Sequence, residues 1–203
     1  RYIKDNNIEK SNVIYLEDCI KNGIFRNINN VNESRKGGAI YYGLYYSIHK
    51  LPKIKKKHII IYTDADISTD LRQCGLLIEK ILEGYSSCIA CRHLPESITI
   101  KKGQRSVRGK IHAYYWKKLF KEINYLSDTQ TSFKAFDSKI IPSLLDNINE
   151  FKFCFDIEIL LKCNKLSKIS QIPIYWKDSP KESKTNKLEY YLEILQLLQI
   201  LKP

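Results

Sequence analysis

The chain has no methionine at any of its 203 positions and opens on Arg1, so it reads as a piece of a longer polypeptide. It has no apolar run approaching the ~20 residues of a membrane span, and no signal peptide. A reduced cytosolic setting is the resulting expectation. No internal repeat and no Pro-, Gly- or Ser-rich linker divides it, which leaves one domain over 1–203 with ample length for a core. Acidic residues are outnumbered 22 to 34 by Lys and Arg, for a net charge of +12. That excess favours anionic partners: a nucleotide, a phospholipid surface or nucleic acid. Much of it is lysine in an Ile-, Asn- and Lys-rich chain, so gene base composition explains it equally well. Nucleic acid is disfavoured, because no aromatic RNA-binding signature and no zinc-finger spacing occurs. Of the cysteines at 19, 74, 88, 91, 154 and 163, only Cys88 and Cys91 stand in CxxC spacing. "SSCIACR" reads as a buried strand of small hydrophobes, with a metal or redox site as the alternative.

What is present is globular. The apolar fraction is 43% and there are two tryptophans, which argues against disorder. Residues 1–34 are polar and Asn-rich, with one candidate strand at "NVIYLE". Beyond Lys36, "GGAIYYGLYYSIHK" reads as a helix entered through two glycines, and 58–63 as a strand. In "TDLRQCGLLIEKILEG" Leu71, Cys74, Ile78, Ile81 and Leu82 share a helical face, and Gly84 stops it. Strand 87–91, a polar loop and a helix across "VRGKIHAYYWKKLFKEI" follow. "TSFKAFD" reads as a strand, "SKIIPSLLDNI" and "FDIEILLKCNKL" as helices, "KISQIPIYW" as a strand and "KLEYYLEILQLLQIL" as a closing helix. Strands alternating with helices predict an α/β domain with a mostly parallel sheet.

The chemistry-bearing segments follow that order. "HIIIYTDADIS" ends a β-branched strand in Asp64 and Asp66, at the sheet edge where open α/β folds bind ligands. Residues i and i+2 of a strand point the same way, so both carboxylates could converge on a cation; a turn with Asp66 as a helix cap is the plain alternative. "SRKGGA" puts Lys36 and Gly37 at a helix entrance, where unpaired N–H groups favour phosphate, although a simple turn explains it equally. Arg105 and Arg108 are spaced i, i+3, so both guanidiniums share one helix face suited to phosphate or to solvent. Asp128 and Gln130 precede a strand. Asp156 and Glu158 lie among apolar neighbours, where carboxylates are either paired or functional; a helix cap is the plain alternative for Asp156. The lysines of "KIKKKH" and the four histidines have the pattern of surface or structural residues.

This ordered series resembles the family 2 glycosyltransferases, in particular the dolichyl-phosphate glucosyl- and mannosyltransferase branch. "DTQTSFKAF" is similar to the branch's DTQ-C-G-F-K-x-F segment, and "FCFDIEILL" to F-D-x-E-L-L. "SQIPIYWKDSPKESKT" is similar to I-P-V-x-W followed by a Ser-Lys pair. The match runs from about Ser34 to the C-terminus. Thr131 and Ser132 replace Cys-Gly. The Pro-x-x-Asn-Glu and Asp-Asp-Gly-Ser segments that open the family are missing from 1–33, so its first βαβ unit is expected to be absent or upstream.

The resemblance implies a GT-A fold and an inverting sugar transfer from a nucleotide diphosphate sugar of the UDP-glucose or GDP-mannose type. It implies Mg²⁺ or Mn²⁺ on Asp66, with Asp64 assisting or contacting ribose, and Lys36, Gly37 and Lys184 around the diphosphate. A polyprenyl phosphate acceptor, already anionic near neutral pH, would need Arg105, Arg108 and Gln130 to position it. A sugar hydroxyl would instead need a carboxylate base, with Asp128 the aligned candidate and Asp156 beside it. The closing apolar helix, about 14 residues, cannot span a bilayer; it packs on the sheet or lies on a membrane surface, giving a cytoplasmic protein with peripheral membrane contact at most. The rival readings are a polysaccharide glycosyltransferase with a hydroxyl acceptor and a catalytically dead nucleotide-sugar-binding fragment.

Overall fold

The computed structural model describes residues 11–52, 57–100, 116–152 and 154–178. The expectations placed on Arg105, Arg108, Lys184 and the closing helix lie outside them.

Helix α1, Leu16–Lys21, leads to α2, Gly37–His49, and then to β1, Ile59–Tyr62. Helix α3, Cys74–Leu82, precedes β2, Ser87–Cys91, and β3, Ile98–Ile100. Strand β4, Lys134–Asp137, is followed by α4, Ile141–Leu145, and α5, Phe155–Leu166. Strands β5, Ser170–Pro173, and β6, Tyr175–Lys177, complete the described fold. The main sheet has the order β1-β4-β2-β5. Strands β1, β2 and β5 run one way, and β4 lies antiparallel between β1 and β2. Strands β3 and β6 form a separate two-stranded parallel sheet.

The sheet is covered on both faces, and its strands accordingly carry apolar residues at consecutive positions, as at 59–61 and 88–91, rather than at alternate ones. Ile60, Tyr62, Ile89 and Phe136 pack with α2, α4 and α5 in one cluster. Ile59, Ile61, Cys88, Ala90 and Ala135 pack with Leu77 and Ile81 of α3 in another. Leu77 and Ile81 are completely buried, each contributing ~1.5–3 kcal/mol by removal from water.

Three local expectations change. The segment "NVIYLE" is no strand: its end begins α1 at Leu16, with Glu17 and Asp18 in the first turn, where the helix dipole favours acids. The buried stripe of α3 runs through Cys74, Leu77 and Ile81, while Leu71 and Leu82 are exposed. A 3-10 turn at Leu71–Gln73 precedes that helix, so a uniform 3.6-residue period misplaces Leu71. "KISQIPIYW" does not make one strand either. Pro173 ends β5 in the main sheet, and the chain crosses to pair Tyr175–Lys177 with β3.

The entrance to α2 is set by close packing. A Cβ on Gly37 would meet Phe155 Cβ at 2.7 Å and the Phe151 carbonyl group at 2.8 Å. Buried Glu158 accepts from the Asn149 and Glu150 amides and from Lys162 Nζ at 3.0 Å, fixing the turn that carries Phe151. Gly37 therefore brings Lys36 against the edge of the sheet where β1 ends.

Candidate functional site

Three acid–base pairs stand at the edge where β1 and β2 end and the antiparallel β4 begins. The first joins Lys36 to Asp64, and the same ammonium donates to Ser132 Oγ. The second joins Lys134 to Asp156: Nζ lies 2.5 Å from Oδ1, and Tyr62 OH donates to that oxygen at 2.8 Å. The third joins Arg92 to Asp128 through Nε at 2.6 Å and Nη2 at 2.8 Å.

Each pair follows from chain geometry. Lys36 is the residue before α2, and Asp64 comes two residues after β1. Lys134 lies opposite Tyr62 in the β1–β4 ladder, so both side chains take one sheet face and meet the first turn of α5. Arg92 follows β2 directly, where an antiparallel neighbour brings residues 128–133 alongside.

The electrostatics differ between the pairs. Burial works to raise the Asp128 carboxyl, but the Arg92 guanidinium and backbone N–H donors outweigh it and hold it at about 2. The Arg92 amide at 3.1 Å and the Gln130 amide at 3.1 Å complete its cradle. Both oxygens are occupied, which suits a fixed anion better than a proton acceptor. Arg92 also lies over the Trp176 ring, 5.3 Å from its centroid. Burial pushes the Lys134 ammonium below the ordinary lysine value, with Asp156 opposing it. The Tyr62 phenol is driven well above its ordinary value by burial and then by Asp156.

Asp64 and Asp66 do not share one direction. Strand β1 ends at Tyr62 and the chain turns, so strand alternation stops before the first aspartate. Asp64 turns to Lys36, whereas Asp66 accepts from Ser68 N at 3.0 Å and Ser68 Oγ at 2.9 Å. The plain turn reading is thus met in part, although the cap of the next 3-10 turn is Asp70. Among the described residues no group of three His, Cys, Asp or Glu could hold a metal ion. Two partly exposed carboxylates fit a hard cation that arrives with phosphate oxygens and keeps waters, as Mg²⁺ does.

The helix entrance also differs from the expectation. The Gly37 amide donates to Lys152 O, and the Gly38 amide to Phe151 O and Ser34 Oγ. Those amides are engaged within the protein, and Lys36 reaches the site through its side chain instead. Asp156 is not the cap of α5, a place held by Cys154. The six cysteines are free thiols; burial pushes Cys88 up to about 12, so the CxxC spacing marks a packed strand.

Beside Asp64 lies a cleft of about 650 Å³ lined by Thr63, Ile67, Thr69, Leu71, Tyr175 and Lys177, among others. Gln73 clamps it, accepting from Tyr175 N at 2.7 Å and donating to Tyr175 O at 3.0 Å. Ile67 is 86% exposed there with a φ of 60°, a left-handed conformation that costs a β-branched residue ~1–3 kcal/mol.

The sequence reading named Lys36, Asp64, Asp128 and Asp156, and the fold brings these together. It missed Arg92, Lys134, Ser132 and Tyr62. One signal for Lys134 was legible: a lone lysine within the apolar strand "SFKAF".

No family model matches the chain. It is 24% identical over 119 residues to Glycosyltransferase AglD of Haloferax volcanii, covering 58% of this chain and 19% of that protein. In structure it is similar to glucosyl-3-phosphoglycerate synthase from Mycobacterium tuberculosis in complex with UDP. The TM-score is 0.51 at 15% identity, over 81% of this chain and 54% of that one. The chain thus spans about a fifth of the first relative and about half of the second. The structural likeness establishes the fold as the GT-A type.

Proposed function

We propose that this chain carries the sugar-transfer site of a glycosyltransferase of family 2, using a nucleotide diphosphate sugar and a polyprenyl phosphate acceptor with inversion. The observation that carries the reading is the meeting of Lys36, Asp64 and Ser132 at the C-terminal end of β1. A cation and a carboxylate at that edge are what a diphosphate and a ribose require. Two comparisons support the donor class: sequence similarity to a protein named a glycosyltransferase, and structural similarity to a synthase bound to UDP.

In this reading Lys36 leaves Asp64 to bind the diphosphate, with Lys184 as a second cation, and Asp64 turns to the ribose or to an ion. Asp66 and Asp64 would hold Mg²⁺ or Mn²⁺, which as a Lewis acid offsets charge on the leaving diphosphate. Asp156 stays paired with Lys134. Asp128 orients Arg92 and the segment carrying Gln130 and takes no proton.

Two features favour a lipid phosphate over a sugar hydroxyl. The aligned carboxylate Asp128 is already spent on Arg92, whereas an anionic acceptor needs no base. The cleft beside Asp64 offers Ile67, Leu71 and Tyr175 to an apolar chain. Arg105 and Arg108 would hold its phosphate, and contact with a cytoplasmic membrane face would deliver it. The test is transfer from UDP-glucose or GDP-mannose to polyprenyl phosphate, set against transfer to free or glycan-linked sugars. Transfer that needs the lipid phosphate is expected; equal transfer to a sugar hydroxyl without lipid would overturn the acceptor.

A further inference from the structure

Lys134 is a lysine with no exposed surface, enclosed in the sheet. Its ammonium donates to Asp156 Oδ1 and to the Thr131 carbonyl, and lies 5.4 Å from the Tyr62 ring centroid. A buried ion pair is a poor stabilising device, because desolvation offsets its attraction and apolar residues of the same volume do as well or better. The surroundings here, Tyr62, Phe136 and Phe155, would accept an apolar side chain. Stability therefore does not explain why a charge stands at this position.

Its connections do. Thr131 is the residue before Ser132, and Ser132 Oγ accepts from Lys36, which pairs with Asp64. A continuous series of contacts thus runs from the first turn of α5 to the rim: Asp156, Lys134, Thr131 and Ser132, Lys36, Asp64. Ser132 lies two residues before β4: on one side the Phe133 carbonyl accepts from the Ala90 amide at 2.9 Å, and on the other the bond from Lys134 to the Thr131 carbonyl holds the chain.

We propose that Lys134 is a positioning residue: held by Asp156, it sets the Thr131–Ser132 segment and through it the place of the Lys36 ammonium that meets a nucleotide diphosphate. The last clause rests on the functional reading above; the first does not. Lys134 has no exposed surface to offer a ligand. It acts by removing the freedom of the Lys36 side chain, a long flexible chain that would otherwise lose rotamer entropy on binding.

The experiment replaces the buried set by apolar residues, Lys134→Met with Asp156→Leu and Tyr62→Phe, so that no unpaired charge remains and the Thr131 carbonyl alone gives up its Lys134 donor. Three quantities are measured on the 203-residue protein: thermal midpoint, the Lys36 side-chain ammonium resonance without ligand, and UDP affinity with Mg²⁺. The expected result is a folded variant whose Lys36 ammonium exchanges freely with water and whose UDP affinity falls about tenfold. In a Lys36→Met background the same replacements should leave UDP affinity unaltered, which a general structural defect would not do. An unchanged Lys36 resonance in the folded variant overturns the proposal. If that variant unfolds, Lys134→Arg serves instead: it keeps the charge but changes the reach, and an unmoved Lys36 signal again overturns it. If the wild-type protein does not bind UDP while the Lys36 signal responds to Lys134, the positioning role stands and the nucleotide reading fails.

Discussion

Arg92 grips both carboxylate oxygens of Asp128, with Nε at 2.6 Å and Nη2 at 2.8 Å. The two residues are 36 positions apart in the chain, and Asp128 is 4% exposed. A carboxylate buried to that extent survives as an anion only because the guanidinium meets it in a bidentate fork.

The pair has a pH signature. The Asp128 carboxyl falls from an ordinary 3.8 to about 2 in the folded protein. A depressed pKa contributes stability that is present above the unfolded value and lost as pH falls through the folded one. Unfolding free energy measured with urea should therefore drop by about 2 kcal/mol between pH 4 and pH 2 from this group. In Arg92→Met the buried anion is left unpaired; stability near pH 7 should fall by ~3–5 kcal/mol, and mild acid should now help. Identical pH profiles for the two proteins would refute the assignment.

The proposed cation site at the two aspartates after β1 is tested by titration calorimetry with UDP or GDP. Asp66→Ala is expected to abolish the Mn²⁺-dependent part of the affinity, and Asp64→Ala to be nearly as severe. Metal dependence that survives in Asp66→Ala would remove that residue from any cation site.

Packing at the entrance to α2 makes a paired stability prediction. Gly37→Ala should cost ~1–3 kcal/mol or more, since its new Cβ would lie 2.7 Å from Phe155 Cβ and 2.8 Å from backbone atoms of Phe151 that cannot withdraw. Gly75→Ala, exposed in α3 with nothing within 4 Å, should raise stability by ~0.5–1 kcal/mol through helix propensity. Melting curves decide it: equal shifts for the two would show that the close approach at Gly37 is not real.

Strain at Ile67 should be separable from function. Ile67→Asn places a residue tolerant of positive φ where Ile67 adopts 60° and should stabilise the protein by about 1 kcal/mol. If the cleft takes an apolar chain, the same substitution raises KM for a long-chain phosphate acceptor and leaves that for a short-chain one unchanged. An unaltered ratio of the two would exclude the cleft as the chain's path.

Local residue pattern was enough for the α/β class, helices α2 and α5, strands β1, β2 and β4, and the acids at the sheet edge. These are legible because a strand buried on both faces is mainly apolar and breaks into polar residues where it leaves the sheet. Asp64, Asp128 and Asp156 were conspicuous for that reason. Their partners were decided only by tertiary structure. Strand β4 runs antiparallel between β1 and β2, which carries Lys134 under Tyr62 and residues 128–132 beside Arg92; no periodicity within a strand encodes the direction of its neighbours. The divergence of Asp64 and Asp66 has the same origin, since strand alternation ends at Tyr62. What an acid at a sheet edge does depends on the cation that chain crossing delivers to it, and hydrogen-bond geometry over sequence distances of 22 to 36 residues is set by packing rather than by local pattern.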